Sequence, residues 1–252
     1  MADYLLTLCF DGRNFYGYQI QKTPNGEKRT VGGEIKKALI SVFGSVEKLS
    51  GCSRTDSGVH ATAYRVSFSA EKTLPEDTVI RAINANLPDD IAVFECLAVS
   101  PDFHARYSVT SKKYEYRIYT SPVRDPFKKG LYLHYPHPID EKLLNASCAD
   151  FCGTHDFSSF MAAGSSIKDA VRTVYDASFY SPRENEYVFS VSANGFLYNM
   201  VRIMVGTLLE IQSGKLPVGS IPSIIEKKDR NCAGFTAPPD GLYLCEVRYD
   251  KY

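Results

Sequence analysis

The apolar pattern of this chain switches repeatedly between a period of two and a period near 3.6, and the stretches between switches are short. Residues 62–70 alternate apolar and polar side chains, as a strand does. Residues 31–43, "VGGEIKKALISVF", instead place Val31, Ile35, Leu39 and Val42 at helical spacing, with Thr30 as N-cap. Residues 3–10 and "IAVFECLAVS" (91–100) read as strands, and "LPEDTVIRAINANLP" (74–88) reads as a short helix closed by Pro88. Strand, helix, strand, helix, strand therefore fills the first hundred residues. A similar alternation recurs from 111 onward. It runs through a helix from about 139 to 152, strands near 171–181 and 186–194, and a long helix over 196–213 stopped by Gly214. A short helix near 219–228 and a last strand, "GLYLCEVRY" (241–249), complete it. Many connections are too short for parallel crossovers, so an α+β sheet is expected rather than a doubly wound one. Two related halves, 1–103 and 104–252, are expected to leave a cleft between them.

With 252 residues, 44% of them hydrophobic, the chain can bury the core of one large domain or two small ones. No run approaches the eighteen or so apolar residues of a membrane helix, so no membrane association is expected. "MADYLLTLCF" lacks a cationic region and a small-residue cleavage site, so no signal peptide is expected. Seven cysteines with no CxxC pair suit a reduced, cytoplasmic protein. Cys148 and Cys152 stand one helical turn apart near His155, a spacing that faintly suggests metal ligands. Small core cysteines account for it better, and no metal is expected. Formal charge is zero, but its distribution is uneven. Residues 104–130 hold seven Lys/Arg, two acids and five aromatics. Such a segment suits either a phosphate- and base-binding surface or an ordinary solvated strand edge.

"GCSRTDSGVHA" (51–61) carries the chemistry. Gly, Ser, Thr and Asp make this a loop where a strand is about to begin. Asp56 either caps a turn or serves as nucleophile or acid/base beside a cation. No second carboxylate lies nearby, so paired-carboxylate glycosidase chemistry is poorly supported. A lone carboxylate in a basic, aromatic setting suits attack on an electron-poor ring or a sugar carbon. The local residues leave these readings open.

"SRTDSGVHA" resembles the GRTDAGVHA signature of the tRNA pseudouridine synthase A (TruA) family. Further stretches are similar to family blocks in the same order: "FDGRNFYGYQIQ" (10–21), "NANLPDDIAV" (84–93), "DFHARYS" (102–108), "KKYEYRI" (112–118), "GTHDFSSF" (153–160), "NGFLYNMVRIMVGTL" (194–208) and "GLYLCEVRY". The resemblance implies the pseudouridine synthase fold, two ferredoxin-like halves sharing a mostly antiparallel central sheet flanked by helices. It implies isomerisation of uridine to pseudouridine in the tRNA anticodon stem-loop, at positions 38, 39 and 40. It further implies no cofactor, and a cytoplasmic homodimer.

By the same resemblance Asp56 is the covalent nucleophile, and Arg54 fills the hole left by a flipped base or grips a flanking phosphate. Tyr114 stacks on the uracil, and Arg202 pairs with the catalytic carboxylate. His60, Phe103, His104 and Arg106 lie in matched blocks and are secondary candidates for RNA contact, with a satisfied structural role the equal reading for the two histidines. Four positions depart from the family pattern. Ser53 stands for Gly, Tyr18 for Trp, Ile20 for Arg and Gly32 for Gln, which leaves open a paralogue with another RNA target. A non-catalytic RNA-binding module would not need Asp56, Arg54, Tyr114 and Arg202 together. A carboxylate-dependent hydrolase, suggested by "FDGRN", lacks the paired DxD acids.

Overall fold

A computed structural model of the protein describes residues 1–24, 26–164, 167 and 169–251. The chain divides into two compact units, Met1–Thr110 with Tyr243–Tyr252, and Ser111–Leu242. The fold is α+β: mostly antiparallel sheet flanked by helices. Among the described residues no helix is long and apolar enough to cross a membrane.

The first unit runs β1 (Ala2–Phe10), a small hairpin of β2 (Lys22–Thr23) and β3 (Gly26–Glu27), α1 (Val31–Phe43), β4 (Glu47–Gly51), β5 (His60–Ala70), α2 (Glu76–Asn84) and β6 (Ile91–Ala98). Its sheet has the spatial order β6-β1-β5-β4, all neighbours antiparallel. That is the ferredoxin-like arrangement of a βαββαβ chain. β1 lies between two strands and buries consecutive residues, Leu5 and Leu6, which is why its sequence is nearly continuous in apolar residues. α1 has the bounds its spacing predicts. The Thr30 hydroxyl accepts from the Gly33 N–H at 3.2 Å, and Val31, Ile35 and Leu39 are buried. Val42 is only half-buried.

The second unit comprises β7 (Val109–Thr120) from Ser111 onward, β8 (Leu133–Tyr135), α3 (Glu141–Cys148), β9 (Gly153–Asp156), β10 (Val171–Arg183), β11 (Glu186–Ala193), α4 (Met200–Gln212) and α5 (Ile221–Lys227). β7, β11, β10 and β9 pair antiparallel in that order, with β8 parallel on β7. The register sets Tyr114 opposite Val191 and Tyr116 opposite Phe189. α3 stops at Cys148 and tightens into a 3₁₀ turn through Phe151, so the helix expected to 152 is shorter. α4 likewise starts at Met200 rather than 196, because Asn199 is left-handed at φ 60° and ends the preceding loop. An apolar stripe nevertheless runs along the stretch. Leu197, Met200, Val201, Met204, Leu208 and Ile211 are all buried.

The last strand, β12 (Leu242–Tyr249), departs from the division expected at 103/104. Its segment from Tyr243 groups with the first unit, because it pairs parallel with β5, Tyr243 opposite His60 and Leu244 opposite Ala61.

Candidate active site

In the first unit the Asp56 loop, residues 52–59, is clamped against segment 11–18. The Tyr18 N–H donates to the Thr55 carbonyl at 3.2 Å. The Ser57 hydroxyl and the Gly58 N–H both donate to the Phe15 carbonyl, at 3.1 and 3.4 Å. Within the loop Val59 N–H donates to Asp56 O at 3.2 Å. Thr55 turns inward, Asp56 is half-buried and Arg54 is exposed. The carboxylate is thus held on a tight turn fixed by backbone bonds, with a solvent-facing guanidinium two residues away.

His60 supports the same clamp from beneath. Its ring is buried and stacked on Tyr243 (centroids 4.5 Å, 16°). The Gly12 N–H donates to its Nδ1 at 3.1 Å, so that nitrogen is an acceptor. Its 3.3 Å approach to Asp11 Oδ1 is therefore proximity rather than a shared proton. Asp11 caps the turn at 12–14 and holds Arg13 with two bonds from Nε, at 3.0 and 2.8 Å. Burial pushes the Asp11 carboxyl pKa up. The Arg13 hydrogen bonds and the Arg13 charge outweigh it and keep the group below its ordinary value.

In the second unit Tyr114 is buried, its ring edge-to-face with Phe196 (5.0 Å, 82°). Tyr116, on the same strand face, is fully buried and its hydroxyl donates to the Pro238 carbonyl at 2.7 Å. Burial drives the Tyr116 pKa far up, opposed by the charge of Arg202 and reinforced by that of Asp240. Tyr116 is thus core and anchor.

Arg202 is no ordinary exposed helix arginine. Its Nε donates to the Ala237 carbonyl at 2.7 Å and its Nη1 to Asn199 Oδ1 at 2.8 Å, while Ala237 N–H donates back to Arg202 O at 3.1 Å. Two bonds from different nitrogens fix the plane of the guanidinium. α4 can approach segment 233–238 this closely because Gly206 has no side chain. A Cβ there would lie 2.7 Å from the Phe235 carbonyl carbon and closer still to its oxygen. Beside it, Gly234 N–H donates to the Thr207 hydroxyl at 2.9 Å.

Comparison with known proteins decides which family the chain belongs to. A family model described as tRNA pseudouridine synthase matches residues 8–108 and 148–250. The chain is 45% identical to tRNA pseudouridine synthase A of Latilactobacillus sakei over 248 residues, 98% of each chain. It is 43% identical to that of Lacticaseibacillus casei, over 99% of this chain and all of the relative. The Geobacillus sp. protein of the same name is 42% identical over 97% of each. The chain belongs to the tRNA pseudouridine synthase A family.

Three of the four positions expected to depart from the family pattern are neighbours. Gly32 N–H donates to the Tyr18 carbonyl at 2.9 Å, and a Cβ on Gly32 would sit 2.6 Å from that oxygen. Tyr18 stacks on Tyr64 (4.7 Å, 26°), and the Tyr64 hydroxyl donates to the Ser53 carbonyl. Positions 18, 32 and 53 thus form one packed chain of contacts behind the synthase loop. Ile20 follows Tyr18 by two residues and is half-buried.

The secondary candidates separate by exposure. His60 is buried. Phe103 is half-buried against Tyr249 (4.9 Å). His104 closes a turn, its Nδ1 accepting from Arg106 N–H at 3.1 Å and Tyr107 N–H at 3.3 Å. Arg106 is exposed beside the open Tyr107 ring. The basic segment is partly neutralised where it lies: Glu115 sits between Lys113 (3.7 Å) and Arg117 (3.9 Å), and Lys128 bonds Glu186 at 2.8 Å.

The Cys148 thiol is fully buried, which pushes its pKa up, and His155 Nε2 donates to the Cys152 carbonyl at 2.9 Å. Among the described residues no group of three or more His, Cys, Asp or Glu could hold a metal ion. The sequence did not reveal the partners of His60, Gly12 and Tyr243, or the 233–238 segment that seats Arg202. The Gly12 of "FDG" and the glycine of "MVGTL" were the available signals.

Proposed function

We propose that this synthase isomerises uridine to pseudouridine in the anticodon stem-loop of tRNA, at positions 38, 39 and 40, through a covalent intermediate on Asp56. The observation that carries the reading is the clamped Asp56 loop, a half-buried carboxylate held by Ser57, Gly58 and Thr55 backbone and hydroxyl bonds beside exposed Arg54. A nucleophile must keep one geometry while the base is detached, turned and rejoined, and a loop bonded at three residues supplies that. In the reaction the N1–C1′ bond breaks, a C5–C1′ bond forms, C5 loses its proton and N1 gains one, so product and substrate are isomers. Asp56 makes and then releases the temporary bond.

Arg54 reads best as the group that occupies the vacated stack or binds the adjacent phosphate, since it faces solvent. Tyr114 is assigned to stacking on the uracil and Arg202 to keeping the nucleophile ionised, an ionic role suited to a guanidinium whose plane is already fixed. Arg106 is assigned a phosphate contact. His60, Phe103 and His104 support the loops around them. The protein is expected to act as a cytoplasmic homodimer.

The test is tritium release from tRNA labelled at uracil C5, with wild type and Asp56→Asn. Asparagine keeps the side-chain size and loop bonding but is no nucleophile. Wild type should release tritium from positions 38 to 40, and the variant should fall by more than tenfold while still binding tRNA. A variant retaining a tenth of wild-type turnover removes Asp56 from the covalent role.

A further inference from the structure

Beside the Asp56 loop the first unit carries an aromatic residue that the proposed chemistry does not use. Tyr16 is 52% exposed, although its backbone is rigidly held. Its N–H donates to the Arg29 carbonyl at 2.9 Å, and its carbonyl accepts from Gln21 Nε2 at 2.8 Å. Its neighbour Phe15 is buried and supplies the carbonyl that holds Ser57 and Gly58. The ring therefore projects to solvent one residue away from the clamp on the catalytic loop. Over it lies the Lys28 ammonium, 4.6 Å from the ring centroid. Lys28 itself is exposed, as are Lys22 and Arg54.

A ring left half-open to water adds little to folding beyond its contact with Lys28, and fixing its backbone pre-organises it for a partner. An aromatic face with cations around it matches an unpaired nucleobase and its phosphate: the ring stacks, and the ammonium neutralises. We propose that Tyr16 is a stacking platform for an unpaired base of the substrate RNA beside the target nucleotide, with Lys28 binding that nucleotide's phosphate. This rests on the RNA substrate of the proposed function and adds a subsite to it.

The chain contains no tryptophan, so Tyr16→Trp introduces a sole indole fluorophore at the platform. The experiment titrates Tyr16→Trp with an unmodified anticodon stem-loop, using heparin as a base-free polyanion. Dissociation constants and saturated single-turnover rates are measured for wild type, Tyr16→Phe, Tyr16→Ala and Lys28→Ala. The expected result is quenching of the introduced indole by RNA but not by heparin, and affinity kept by Phe. The Ala variant at 16 should bind about tenfold more weakly, the loss of one base–aromatic stack, with its saturated rate within about twofold of wild type. Lys28→Ala should lower the salt dependence of binding. An active wild type combined with unchanged indole emission in Tyr16→Trp overturns the platform alone, as does equal quenching by heparin. A wild type that releases no tritium from tRNA overturns the functional reading and the platform with it. If Tyr16→Ala loses stability, the emission of Tyr16→Trp still decides.

Discussion

Gly206→Ala is expected to destabilise the protein even though it puts the best helix former in the middle of α4. In a helix interior the exchange contributes about 1 kcal/mol in favour of folding. Here the added methyl would meet the Phe235 backbone, which must retreat. Segment 233–238 is held to α4 by the Gly234 N–H to the Thr207 hydroxyl, the Ala237 N–H to Arg202 O, and Arg202 Nε to the Ala237 carbonyl. Two neutral bonds at about 1 kcal/mol each and one charged bond at about 2 make a loss near 4 kcal/mol. The net cost is then about 3 kcal/mol, which for a chain of this size lowers Tm by roughly 6–12 °C. Arg202 would also lose the bond that fixes its plane, so single-turnover rate should drop more than RNA affinity. Thermal and urea denaturation beside single-turnover tritium release would measure both. A Gly206→Ala protein as stable as wild type, with an unchanged rate, would refute the close-approach argument.

Arg202→Ala should cost far more turnover than tRNA affinity. Arg202→Lys should recover only part, because one ammonium cannot reproduce the two-nitrogen attachment to Ala237 and Asn199; an affinity collapse at unchanged rate would make Arg202 a phosphate contact instead. His60→Phe retains a ring against Tyr243 but leaves the Gly12 N–H buried without its acceptor, and the urea midpoint should report a loss of about 1–3 kcal/mol. Acid should weaken both units. Asp11 and Asp156 have carboxyl pKa values held below the ordinary 3.8, Asp156 chiefly by the Ser158 and Lys228 hydrogen bonds. Their stabilisation is therefore complete above the unfolded value and is lost as pH falls below it. Urea midpoints from pH 6 to 2.5 should decline more gently at the acid end for Asp11→Asn and Asp156→Asn than for wild type.

Elements whose signal is local are legible in the sequence. α1 follows from four apolar residues at helical spacing and a threonine cap, and the cap operates as read. The start of α4 is hidden because Phe196 and Leu197 continue the apolar stripe, whereas the left-handed Asn199 leaves no mark on hydrophobic periodicity. β4, "EKLSG", has no period to recognise and owes its existence to pairing with β5. In the site, Asp56 and Arg54 announce themselves through a contiguous motif. Whether His60 contacts RNA or serves the structure is not legible because its partners are remote: Gly12 lies 48 positions earlier, and Tyr243 lies in β12. The relation among Tyr18, Gly32 and Ser53 is equally hidden. Each is an isolated departure along the chain, and the stack of Tyr18 on Tyr64 connects them.

The place of β12 has a consequence for synthesis on the ribosome. The first unit consists of Met1–Thr110 and a segment beginning at Tyr243, so a whole second unit is translated before the first can be finished. At about 5–20 residues per second the intervening stretch occupies roughly 7–27 seconds. During that interval His60 has no Tyr243 ring above it, β5 lacks its parallel neighbour, and the Gly12 anchor rests on an unprotected imidazole. The nascent chain therefore holds the support of the Asp56 loop in an unfinished state until Tyr243 emerges. A nascent chain stalled before Tyr243 would carry the "SRTDSGVHA" motif in full and yet lack the stacked ring that seats its histidine.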